Sequence, residues 1–170
     1  MISTKIETAL NGQIESEGMS SQIYLAIASW AETQGYNGVA EFFYKQSDEE
    51  RVHMLKLFRY INERGGHGTV SSLKQPAKTF ESLNVIFKDF LDHEVRVSQE
   101  INKLVEICLN DKDYTTLNFL QWYVSEQHEE EKLFNSILDV IKIAGTDGKG
   151  LLLIDNEISK LRENGEEDKD

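Results

Sequence analysis

The sequence predicts an all-α fold, a four-helix bundle with one long crossover between its second and third helices and a short fifth helix at the C-terminal end. Three observations carry this. Four long stretches repeat apolar residues at helical spacing. Proline is almost absent, with Pro76 alone among 170 residues. The breaks between stretches are short, except one.

The first helix runs from about Lys5 to Gln34, after an N-cap at Ser3 or Thr4. Its stripe holds Ile6, Leu10, Ile14, Glu17, Tyr24, Ile27 and Ala31, and Gly35 with Asn37-Gly38 breaks it. The second runs from about Val39 to Arg64, with Val39, Phe42, Phe43, Gln46, Glu50, His53, Leu57 and Tyr60 along one side, until Gly65 and Gly66 end it. Residues 66 to 81 are a link of about sixteen residues, which extended reaches roughly 50 Å at ~3.3 Å per residue. A helix of about 27 residues is roughly 40 Å long, so the link can return along the bundle. The third helix starts at Ser82 or Leu83 and reaches Leu109 through Leu83, Phe87, Phe90, Glu94, Val97, Ile101, Leu104 and Cys108. Asn110-Asp111-Lys112 makes a short turn. The fourth runs from about Tyr114 to Ala144, through Leu117, Leu120, Tyr123, Val124, Gln127, Glu130, Phe134, Ile137 and Ile141. Gly145, Gly148 and Gly150 punctuate it, and Leu151 to Leu161 form the fifth helix. One domain is expected over 1–162, followed by an acidic, disordered tail from Glu163 to Asp170.

Thirty acidic and 18 basic residues give a net charge of -12. Such a chain is not a general nucleic-acid binder, which needs Lys and Arg against phosphate, but it suits cations. Cys108 is the one cysteine, so no internal disulfide forms. No signal peptide and no bilayer-spanning run is visible, and a cytoplasmic location away from membranes is the default expectation.

The chemistry sits at four helix midpoints. Glu17, the Glu50-x-x-His53 pair, Glu94 and the run from Glu126 to Glu131 each occupy a different helix at similar depth. Glu17, Glu50, Glu94 and Gln127 each lie seven residues from apolar neighbours on both sides, so each shares a face with core residues. Burying carboxylates without partners is expensive, so they need protons, cations or a metal. Carboxylates with one imidazole suit iron or manganese, whereas zinc sites draw more on His and Cys. The bland alternatives are real for each piece alone. A single Glu-x-x-His usually marks a solvated face, Glu94 beside His93 and Arg96 can be a surface pair, and the acidic run can be an exposed side. The agreement of level and face on four helices favours a metal. Tyr24, seven residues from Glu17, reads as core within reach of a ligand. Trp30 and Trp122 read as core or interface aromatics, His67, His93 and His128 as surface residues, and Cys108 as a small buried hydrophobe. The Gly145 to Gly150 cluster lacks the ending of a phosphate-binding loop.

Glu17 with Tyr24, Glu49-Glu50-x-x-His53, Glu94 and the stretch NFLQWYVSEQHEEEKLF from Asn118 to Phe134 together give a resemblance. Over essentially its full length the chain resembles the bacterial non-haem ferritins, of the known ferritin-like di-iron architecture. That resemblance, rather than spacing, implies a role for each site residue. Glu17, Glu50 and His53 would hold one iron, with Glu50 bridging. Glu94 would hold a second, with Glu130 and Gln127 at or near it. Glu49, Glu126 and Glu129 would surround a third iron site beside Glu130. Tyr24 matches the family tyrosine next to the centre, and Tyr24 and Glu50 are the residues expected to serve the reaction itself. The family forms a hollow cage of 24 subunits, oxidises Fe(II) with dioxygen or peroxide as a ferroxidase, and stores Fe(III) as mineral.

Departures from neighbouring families narrow the resemblance. Bacterioferritins and rubrerythrin-like proteins carry a second Glu-x-x-His on the fourth helix, where this chain has Gln127-x-x-Glu130. Val52 stands at the haem-binding methionine of bacterioferritin, and Met54 faces elsewhere, so no haem is expected. Unlike DNA-coating mini-ferritins, the chain has a fifth helix and no basic N-terminal arm. Two other functions stay open on the sequence alone: a metal-free bundle serving as an interaction protein, and a di-iron peroxidase without storage.

Overall fold

A computed structural model describes residues 1–161, so the expectation for the acidic tail falls outside the described residues. Five helices follow one another: α1 (Thr4–Gln34), α2 (Asn37–Glu63), α3 (Leu83–Asp111), α4 (Tyr114–Ala144) and α5 (Gly148–Leu161). None among the described residues is long and apolar enough to cross a membrane.

Local chemistry sets most ends. The Ser3 hydroxyl accepts the Ile6 N–H at 3.3 Å and starts α1, and Gly35, at φ 84°, closes it in the left-handed region. Ser82 caps α3 through the Val85 N–H, and Asp113 caps α4 through the Thr116 N–H. Three boundaries differ from the sequence reading. Asn37-Gly38, read as a breaker, lies inside the first turn of α2. A tertiary contact permits this, because Asp155 Oδ1 on α5 accepts the Val39 N–H at 2.9 Å. Asn110 and Asp111 stay helical, and Lys112 alone takes the left-handed turn, at φ 56°. Helix α5 begins at Gly148, because the Asp147 carboxylate accepts the Gly150 N–H at 2.7 Å.

The link is a crossover, as its length allows. It leaves α2 beside the start of α1, where the His67 N–H reaches Glu7 and the Thr69 N–H reaches Asn11. Leu73 passes over Gly18, and Pro76 and Ala77 then line a groove with Ala26 and Trp30. Phe80 meets the Trp30 ring edge-on, at 5.7 Å between centroids. The chain thus climbs back along α1, so α3 descends parallel to α2 and α4 rises parallel to α1. Ser3 and Asp111, 2.9 Å apart, and the Arg64–Asp113 ion pair at 3.2 Å join the ends that this topology brings together.

Two apolar cores form inside the bundle. One is aromatic: Tyr24, Phe42, Phe43, Phe87, Phe90 and Phe134 pack with Ile27, Ile137 and the α5 residues Ile154 and Ile158. The other is mainly aliphatic, built on Ile6, Leu10, Leu57, Ile61, Ile101, Leu104 and Leu120. Between them lies a layer of polar side chains from all four long helices.

Gly38 is where α5 seats. A β-carbon there would fall on the backbone carbonyl of Asp155. Gly38→Ala is therefore expected to lift α5 and lower stability by roughly 1–3 kcal/mol, as overpacking does. Hydrogen exchange should show faster exchange of the α5 amides with α1 to α4 still protected; unchanged protection of α5 would refute this docking.

Candidate metal centre

The polar layer contains five buried carboxylates, Glu17, Glu50, Glu94, Glu126 and Glu130, one buried imidazole, His53, and no buried Lys or Arg among the described residues. Helical spacing delivers them. Each acid replaces a hydrophobe in its stripe, so the same packing that buries Leu10, Phe43 and Phe87 carries the acid inward.

His53 is the hinge of the arrangement. Its Nδ1 lies 3.6 Å from Glu50 Oε2 and 3.8 Å from Glu17 Oε2, while its Nε2 lies 4.0 Å from both Glu49 Oε1 and Glu126 Oε2. Two groups with the compactness of a metal site result: Glu17, Glu50 and His53, all buried, and Glu49, His53 and Glu126. The Tyr123 hydroxyl donates to the His53 carbonyl at 2.6 Å, and Trp122 packs edge-on against the imidazole at 5.0 Å. Lys56 Nζ lies 3.2 Å from the Trp122 ring centroid, so this tryptophan walls the site under a cation.

The remaining acids are held by neutral donors. Tyr24 donates its hydroxyl hydrogen to Glu94 Oε1, and Gln127 Nε2 donates to Glu94 Oε2 at 3.0 Å. Gln13 Nε2 donates to Glu17 Oε1 and Gln46 Nε2 to Glu130 Oε2, each at 2.8 Å. Neither Gln13 nor Gln46 carries a role in the sequence reading. The signal was available: each lies four residues before an acid of the centre, on the same face of its helix.

Protonation follows from this crowding. Burial, then the charge and hydrogen bond of Glu17, then the charges of Glu94 and Glu130, push the Glu50 carboxyl well above its usual range. Burial acts upward on Glu17 as well, but the close Glu50 carboxyl, the neighbouring His53 imidazole and the Gln13 hydrogen bond together outweigh it, so Glu17 sits low. The pair therefore shares a proton that resides on Glu50. Burial and the charges of Glu94, Glu50 and Glu130 raise the Tyr24 phenol well above its usual value, which keeps it a donor.

The structure brings together most of the expected residues. Glu94, Gln127 and Glu130 line the α3–α4 side of the same layer without joining either compact group. Glu129 is exposed and stands apart from both. His93, read as a surface residue, is half-buried. Its Nε2 is 2.8 Å from Ser20 Oγ, on a groove of roughly 480 Å³ between α1 and α3 that Gln13 also lines. Cys108 is buried as expected, and burial pushes its thiol up to about 11.

Known proteins share this fold. Residues 7–144 match the family described as the Ferritin-like domain. A probable bacterial non-heme ferritin-like protein of Haemophilus influenzae is 44% identical over 161 residues, covering 95% of this chain and 98% of that protein. The bacterial non-heme ferritin of Escherichia coli O157:H7 is 39% identical over 161 residues, covering 95% and 98% respectively. An open-pore ferritin from Archaeoglobus fulgidus superimposes with a TM-score of 0.90 at 38% identity, covering 94% of this chain and 98% of that one. Family match, relatives and superposition run over the helices that carry the buried acids, and the chain belongs to the ferritin-like family, alongside the bacterial non-heme ferritins.

Proposed function

We propose that this chain, as one domain over 1–162, is the subunit of an iron store that oxidises Fe(II) at its own buried centre. Dioxygen or peroxide is the oxidant, and the Fe(III) product collects as mineral inside a hollow homo-oligomeric shell, of 24 subunits, in the cytoplasm. The observation that carries this reading is the layer of five buried carboxylates, opposed by no buried Lys or Arg among the described residues. A charge of that sign in a low-dielectric core attracts cations and holds a trivalent ion more strongly than a divalent one.

In this reading Glu17, Glu50 and His53 bind the first Fe(II), with Glu50 bridging to a second bound by Glu94 and Glu130 near Gln127. Glu49 and Glu126, with Glu129 beyond them, take a third ion. A metal on His53 Nδ1 leaves the ring hydrogen on Nε2, facing Glu49 and Glu126, which fixes tautomer and ring orientation. Two Fe(II) ions supply two electrons. With two protons these convert dioxygen to hydrogen peroxide and leave two Fe(III). Tyr24 keeps Glu94 oriented throughout, and its raised phenol stays protonated at neutral pH.

Three outcomes are expected. Glu50→Ala should slow aerobic Fe(II) oxidation at least about 100-fold, since losing even an outer partner of a metal ligand costs 10–100-fold; a rate equal to that of the unsubstituted chain would remove the ferroxidase reading. On size-exclusion with light scattering the protein should run as a large shell and retain iron after aerobic loading; a small oligomer that releases all its iron would exclude storage.

The third concerns pH. The shared proton on Glu50 must leave when a cation binds, because the ligand form is the carboxylate. Below the raised pKa of Glu50 cation binding thus competes with a proton, and affinity rises with pH; above it, the dependence from this group vanishes. Anaerobic calorimetry of the first Fe(II) in buffers of differing ionisation enthalpy should register about one proton released per ion below that pKa. Binding with no proton release at any pH would contradict the Glu17–Glu50 pairing.

A further inference from the structure

Gln46 lies on α2 one turn before Glu50 and is 1% exposed. Its two amide ends meet different fates. Nε2 crosses to α4 and donates to Glu130 Oε2 at 2.8 Å. Oε1 is buried with no hydrogen-bond partner. Buried polar atoms in folded proteins are almost always paired, because an unmet one forfeits its hydration for nothing, so an orphan calls for an explanation. A methionine of similar length would fill this space without the orphan. The glutamine is explained if some state of the protein uses both ends of the amide.

That state is supplied by what the layer attracts. A divalent cation enters a protein site still carrying water, and a cation draws electron density from its water, making those O–H groups stronger donors. An amide oxygen is a neutral acceptor. It can take such a hydrogen without adding to the negative charge that already crowds Glu50, Glu94 and Glu130. Gln13 and Gln127 differ in position: they support Glu17 and Glu94, one from α1 and one from α4. Gln46 alone of the three reaches from α2 to an acid on α4.

We propose that Gln46 is a positioning residue for the second iron: Nε2 fixes the Glu130 carboxylate across the α2–α4 gap, and Oε1 accepts a hydrogen bond from water that the ion carries into the centre. This rests on the iron-handling reading above. It separates the two ions, because the Gln46 amide hydrogen goes to Glu130 and not to Glu17 or His53.

The test is an anaerobic titration with Co(II), whose visible bands report coordination without turnover. In Gln46→Met, which keeps length and apolar fit, the first equivalent should bind as in the unsubstituted chain and the second about tenfold more weakly, with altered bands. Gln46→Leu, which removes both amide ends without adding charge, should show the same split and serves if the methionine variant fails to fold. Unchanged or tighter binding of the second ion in the methionine variant, or an equal loss for both ions, would overturn the role of Gln46 and leave only packing. Absence of ion binding by the unsubstituted chain would instead remove the iron-handling reading on which this one depends.

Discussion

Five carboxylates held away from water, with no Lys or Arg buried among them in the described residues, set the terms for the rest of this structure. A buried ion pair can balance its own desolvation when geometry is good, but like charges in a core repel and must be managed otherwise. The protein manages them with neutral donors and one shared proton. Gln13, Gln46, Gln127 and Tyr24 each give a hydrogen to one of the acids, and in the Glu17–Glu50 pair the proton is favoured on Glu50. Each device lowers the local charge without placing a permanent positive group where an ion must sit. A lysine in the same layer would neutralise the acids and exclude a cation. Lys56 illustrates the alternative: it is half-buried, lies over the ring of Trp122 that packs edge-on against His53, and feels Glu126 through charge.

The two apolar cores make such a layer tolerable. The aromatic core around Phe43, Phe87 and Phe134 and the aliphatic core around Leu10, Leu57 and Leu104 close the bundle on either side of the acids. Burying a large apolar side chain contributes on the order of 2 kcal/mol, so two such clusters offset a few poorly solvated groups between them. The crossover matters for the same reason. By returning the chain along α1 it makes α3 run parallel to α2, and it places Glu94 at the depth of Glu50 rather than leaving the acids at separate levels. The reciprocal hydrogen bonds between Ser21 and Ser47, at 2.7 and 2.8 Å, tie α1 to α2 near the same height and limit how far that pair can separate.

Much of this was legible in the sequence, and the reasons are specific. A Glu in an apolar stripe conflicts with its own helix face, and four conflicts at one depth can be read without coordinates. The crossover could be inferred from link length and helix length alone. Boundaries fared worse where the cap comes from elsewhere in the fold. Asp155 supports the start of α2 from 116 residues away, which no local pattern around Asn37-Gly38 reveals. Asp147 was hidden for another reason: three nearby glycines suggested a break and drew attention from the capping acid among them. The supporting amides went unassigned because a glutamine in a helix is ordinary, and only its partner gives it meaning. His93, read as a surface residue beside Glu94 and Arg96, is half-buried because a stripe describes one face while a groove between α1 and α3 reaches round the side.

The asymmetry of the layer is the last consequence of its charge. On α2 the pair Glu50-x-x-His53 supplies a carboxylate and an imidazole, while on α4 the corresponding positions are Gln127 and Glu130. Gln127 spends its amide hydrogens on Glu94, donating at 3.0 Å to the carboxylate and 3.2 Å to the backbone carbonyl. It therefore weakens the negative charge on that acid and adds no second imidazole. The two sides of the layer thus differ in kind: Tyr24, Gln127 and Gln46 give hydrogens to Glu94 and Glu130, whereas an imidazole and a raised Glu50 carboxyl stand beside Glu17. Under the proposed iron handling, halves built alike would bind two ions alike. Halves built unlike let one ion be held while its neighbour is exchanged, which is what that proposal needs of a site that passes on its product.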